Sequence, residues 1–268
     1  MEQDSLWLGP LRGPIKLAMI GFGALTGILF VILIGMHFVS DTAYGMHEMI
    51  RPEGRPLVQV TLICIGLALL FTSLYLSDEK GSIEPDHTGP FDILSLVLSR
   101  LAMVSIALVV IVMFYEVVAR YVFSAPTLWA NEMSLWIAAF VFLLAGQYAM
   151  QQRSHIRIYI IYDMMPRWAQ KAADSFTVLL IWTFVFCLIW GSYTNIMTRW
   201  NRMEGFGTAW DPPINGTVHP AILVISILVA LQALSNLIAD WNKEPEIHTD
   251  EPDAEEIEAI RRTLEDPK

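Results

Sequence analysis

Residues 114–134 read FYEVVARYVFSAPTLWANEMS. An apolar run carries Glu116 and Arg120, breaks at Ser124-Ala125-Pro126-Thr127, and resumes through Trp129 and Glu132. An ionised side chain at the centre of a bilayer costs at least a few kcal/mol, so such groups pair, lie between helices or sit near an interface. Glu116 and Arg120 are four residues apart and share one helix face, acid before base. Proline lacks an amide donor and opposes a continuing helix, so the chain turns back at 124–127. At about 1.5 Å rise per residue, Arg120 and Glu132 then lie at similar depth on the two arms of a hairpin. One guanidinium is expected to bridge both carboxylates. That contact would pin the hairpin, or two acids against one base would leave charge for a partner subunit.

Moving outward, the chain's 268 residues are 54% hydrophobic with mean hydropathy +0.48, and apolar runs of spanning length recur. This composition predicts an all-α integral membrane protein. Six transmembrane helices are expected, over about 15–39, 57–76, 91–123, 129–150, 172–200 and 221–241. The organisation follows as a two-span extension (1–77), an acidic Gly- and Pro-containing linker (78–90), a four-span core (91–241) and an acidic tail (242–268). Between spans four and five, residues 151–171 mix Arg153, His155, Arg157, Arg167 and Lys171 with isoleucines and methionines, which predicts an amphipathic segment lying on the membrane surface. Asp163 and Pro166 are candidate start signals for the fifth span. Arg100, near the start of span three, is expected to snorkel to the interface, and Trp200 and Trp210 are expected interface residues.

The formal charge of −10 comes largely from residues 244–268, which supply −7 on their own. That pattern speaks of solvation, and basic patches for nucleic acid are absent from the sequence. Cys64 and Cys187 each stand alone in an apolar run, which offers neither zinc spacing nor a redox pair, so both are expected to pack as small apolar residues. An acidic N-terminus without a cleavage pattern argues against a removed signal peptide. Cationic residues near span ends number eight on the side shared by both termini and four on the other. By the positive-inside rule both termini are expected in the cytoplasm.

The ordered set Glu116-Val-Val-Ala-Arg120-Tyr-Val-Phe123, Leu128-Trp129-Ala-Asn-Glu132-Met-Ser, Gly146 and Arg153-Ser-His155-Ile-Arg157-Ile resembles the small permease (Q) subunit of tripartite ATP-independent periplasmic (TRAP) transporters. The likeness extends over about 91–241, and the two preceding spans resemble longer variants of that subunit. Tyr159 and Ser124 depart from the pattern, standing where many members have an acid and a glycine. The resemblance implies a scaffold subunit in the bacterial inner membrane. Its partners would be a large permease subunit, which holds the solute and ion sites, and a periplasmic solute-binding protein. The assembly would import an organic acid or similar solute on an ion gradient, usually sodium, with no cofactor of its own. Glu116, Arg120, Trp129 and Glu132 would serve the brace on the outer side, and Arg153, His155 and Arg157 on the cytoplasmic side. The spans also lack the paired interrupted helices that commonly mark a substrate site.

Two other classes compete. A membrane anchor of a haem-containing redox complex needs two histidines at matching depth, and only His37 and His219 share a side. A membrane hydrolase needs a nucleophile–base or His-Glu-x-x-His arrangement, which no span contains, so no enzymatic activity is expected.

Overall fold

The structure, a computed structural model, describes residues 5–39, 44–79, 81, 89–153, 162 and 164–243. Among these the regular elements are helical. A short 3-10 turn (Gly9–Leu11) leads into α1 (Arg12–Val39), followed by the one-turn α2 (Met46–Met49), α3 (Pro56–Leu76), α4 (Pro90–Tyr121), α5 (Ala130–Gln151), α6 (Arg167–Asn201) and α7 (Ile214–Asp240). All but α2 are long and apolar enough to cross a membrane, which makes six spans and a multi-pass membrane protein. The acidic tail beyond Lys243 and the centre of the expected surface segment, including His155, Arg157 and Asp163, lie outside the described residues.

Prolines set the starts of α3 and α4, because a first-turn residue needs no intrahelical amide bond. Inside the spans several hydroxyls are satisfied locally: Thr61, Ser73, Ser105 and Ser175 each donate to the carbonyl four residues back, as suits a lipid environment. The last span departs from expectation. It begins at Ile214 and runs through Pro220, which the sequence had suggested for the preceding loop. Its missing amide falls in the second turn, where only one carbonyl loses a partner.

The helices pack as a row in the order α1, α3, α4, α5, α7, α6, with a lighter contact between α4 and α7. The N-terminal pair is joined by Phe22 stacked on Phe71 (centroids 5.5 Å apart) and by Arg12 over the Tyr75 ring. Its far end meets the α6–α7 loop, where the Trp210 indole donates to the Met46 carbonyl (2.9 Å) and Arg51 pairs with Asp211 (3.4 Å). Trp210 is buried by this contact, so it is a packing residue instead of an interface anchor. The same loop closes on α7 at Gly216, whose amide donates to the Glu204 carbonyl (2.9 Å); a Cβ there would stand 2.9 Å from the Glu204 nitrogen.

Candidate functional site: two ends of the core hairpin

The break after α4 forms as its sequence suggested. Ser124 takes a left-handed conformation (φ 52°), and the Ala125 amide reaches back to the Ala119 carbonyl (2.9 Å), so the chain ends the helix and reverses within a few residues. Glu116 organises this turn. One carboxylate oxygen accepts from the Arg120 guanidinium through Nε (2.9 Å) and Nη2, and the other accepts from the Thr127 amide (3.0 Å) and hydroxyl. The Thr127 hydroxyl in turn accepts from the Ala130 amide (3.4 Å) at the start of α5. One buried carboxylate therefore ties together the last turns of α4, the connection and the first turn of α5. Tyr115 stacks on Trp129 beside it, with ring centroids 5.7 Å apart.

Glu132 is not part of this clamp. Arg120 makes no ion pair with it, and one Glu132 oxygen is buried without a hydrogen-bond partner among the described residues. The expected bridge of two carboxylates by one guanidinium is thus corrected to a single pair. Thr127, in the sequence only one of the turn residues, is a partner of Glu116 that spacing does not reveal. Its hydroxyl and amide satisfy the second carboxylate oxygen, so the guanidinium has no second acid to neutralise at Glu116, and half of its side chain remains exposed.

At the other end of the core, Arg153 holds Asp240 in a two-point contact (Nε–Oδ2 2.5 Å, Nη2–Oδ1 3.0 Å), joining the end of α5 to the end of α7. Lys243 adds a third donor to the same carboxylate (3.0 Å). Arg167, at the start of α6, donates to the Asp240 and Lys243 carbonyls, satisfying groups that the end of α7 leaves open. Arg100 plays the same part for α3. Its Nε donates to the Leu76 carbonyl (3.3 Å) and its Nη2 to the Glu79 carbonyl (3.0 Å), so the side chain caps the end of a neighbouring helix.

Asp78 fastens the chain's first residues to the end of α3. It accepts from the Ser5 hydroxyl (3.0 Å) and from the amides of Trp7 (2.9 Å) and Leu8 (3.0 Å), and Arg12 lies 3.4 Å away. Burial opposes its ionisation, but those donors and the arginine outweigh burial and hold the carboxyl below its usual range.

Residues 109–243 match the sequence profile of the family described as tripartite ATP-independent periplasmic transporters, DctQ component. The chain belongs to this family. The DctQ component is a membrane subunit of a transporter and has no enzymatic role, and the matched region takes in both the Glu116 clamp and the Asp240 contacts. Among curated proteins, the sialic acid TRAP transporter permease protein SiaT of Haemophilus influenzae (strain 86-028NP) is 24% identical over 78 residues, which is 29% of this chain and 13% of that protein. The chain therefore covers only a small part of that relative. No solved structure matches.

Proposed function

We propose that this DctQ-family chain is the brace of a TRAP-type secondary transporter in the bacterial inner membrane, holding a large permease subunit in place while the latter moves solute. The observation that carries this reading is how its intramembrane charge is used: Glu116 spends both oxygens on fixing its own hairpin, so the pair with Arg120 is a fastening and leaves no open coordination for a passing solute. A helix row with wide apolar faces supports the same reading, since such faces suit lipid and a membrane partner. Phe176, Leu180, Phe184 and Trp190 of α6 all stand exposed. The cation balance of the loops supports a cytoplasmic side for both termini. An organic acid or similar solute, delivered by a periplasmic binding protein and driven by a sodium gradient, is the expected cargo of the whole assembly.

A scaffold without differential affinity for solute in two states cannot couple a gradient to movement. Liposomes holding this chain alone should show no uptake under an imposed sodium or proton gradient. Uptake should appear when the large permease subunit and the solute-loaded binding protein are added, and vanish when this chain is omitted. Saturable uptake by the chain alone would overturn the reading.

A further inference from the structure

One layer of the core is polar where a dry bundle would be apolar. Asp92 lies on α4 three residues before Ser95, whose hydroxyl donates to the Gln147 carbonyl of α5 (3.3 Å). Because α4 and α5 run in opposite directions, Gln151, one turn beyond Gln147, comes level with Asp92. From α7, Gln232 donates through its side-chain nitrogen both to Asp92 (2.6 Å) and to the Asn236 side-chain oxygen (3.0 Å), and Asn236 donates to the Met150 carbonyl (2.8 Å). Three helices thus contribute to a layer about one helical turn thick, and its glutamines are sealed from outside: Gln147, Gln151 and Gln232 are 1%, 2% and 0% exposed.

The layer has an excess of acceptors. The side-chain oxygens of Gln147, Gln151 and Gln232 are all buried with no hydrogen-bond partner. A buried acceptor left dry forfeits the bonds that water would give it in the unfolded chain. Reversing the Gln232 amide gives no relief, because it would turn an oxygen toward the Asp92 carboxylate and lose the bond to Asn236. We propose that this layer is a binding site for ordered water, held between α4, α5 and α7 and donating to the glutamine oxygens. A water carries two donors and needs two to four polar partners, which the layer supplies. Water fits better than a small cation, because the Gln232 nitrogen already points its protons at the carboxylate that a cation would seek. This inference concerns the core's own interior and stands apart from the brace reading.

Met150 is the reporter. It is 6% exposed, and its carbonyl belongs to the layer. Hydroxyl radicals generated by X-ray radiolysis of the purified full chain form from waters beside a side chain, and mass spectrometry reads the oxidation. Met150 is expected to be labelled despite its burial, while Cys64, a more reactive side chain buried to the same degree on α3, is protected. Joint replacement Gln147→Leu and Gln151→Leu is expected to remove most of the Met150 label. Protection of Met150 equal to that of Cys64 in the unsubstituted chain would overturn the proposal, and this comparison stands even if the double variant fails to fold. The melting temperature of the same chain is expected to be equal in sodium, potassium and choline chloride. A sodium-specific rise that the double replacement abolishes would overturn water in favour of a cation.

Discussion

The two ends of the core are fastened in opposite ways. At the tip between α4 and α5, one carboxylate gathers donors from a guanidinium, an amide and a hydroxyl, so a single residue holds the whole turn. At the other end the work is divided: Arg153 and Lys243 hold the Asp240 side chain, Arg167 holds carbonyls of α7, and a layer of amides lies a turn or two deeper. The difference follows from chain connectivity. A tight connection between two helices can be set by one acceptor at its centre, whereas three helix ends, no two of them joined by a short turn, need several contacts that each fix one pair. A concentrated fastening should fail at once, and a divided one by degrees.

The largest effect is expected where the contrast is sharpest. Glu116→Ala removes the acceptor for Arg120 and Thr127 together, and it should lower the melting temperature of the purified chain more than any other single charge removal. Arg120→Ala should be milder, because the Thr127 bonds survive, and Arg120→Lys milder still, since it keeps the charge but loses the planar fork. If Glu116→Ala melts with the unsubstituted protein, the concentrated clamp does not exist. A smaller effect is expected at Asp78, and pH reads it. Its carboxyl titrates lower in the folded chain than in the unfolded one, so its stabilisation is fully present above the ordinary aspartate value of about 3.9 and is lost as pH falls through the lower folded value. Proteolysis near Trp7 should therefore stay flat from neutral pH down to about 4 and rise only below it. Asp78→Ala should give fast cleavage at every pH, and a wild-type rise already at pH 6 would contradict the assignment. The smallest effect belongs to Arg153→Ala. Its pair with Asp240 is partly exposed and Lys243 remains as a second cation, so the cost should be about 0–1 kcal/mol by chemical denaturation. A loss several times larger would mean that the Asp240 end is as concentrated as the Glu116 end.

Much of the fold was legible because lipid imposes simple rules. Runs of apolar residues of spanning length gave six helices, and the proline at 126 gave the reversal after α4. The Glu116–Arg120 pair was legible for the same reason, since four-residue spacing is a local property. The partner of the second Glu116 oxygen was not. Thr127 reaches it only through the way the turn folds back, whereas matching charges by depth pointed to a contact between Arg120 and Glu132 instead. The partners of Arg100 and Trp210 were hidden in a related way. Both are residue types enriched at membrane interfaces, but their partners, the Leu76 and Met46 carbonyls, are backbone groups that no sequence pattern announces. The glutamine layer was invisible because Gln147 and Gln232 sit singly in apolar runs and Gln151 lies at the polar end of a span, and only the packing of α4, α5 and α7 brings them together.

The length of α6 has a further consequence. Its 35 residues extend about 52 Å, well beyond a hydrocarbon core of about 30 Å, and its polar residues lie at both ends, with Arg167, Lys171 and Asp174 at one and Asn195, Arg199 and Asn201 at the other. Tilt of the usual range, up to about 40°, does not absorb that excess. Shifting the helix by one turn in either direction draws one of these polar ends toward the hydrocarbon, at a cost that rises with depth. The helix is therefore held at a fixed height in the bilayer, like a bolt with a head on each side. Any neighbour that rises and falls during its work would do so against a reference that does not.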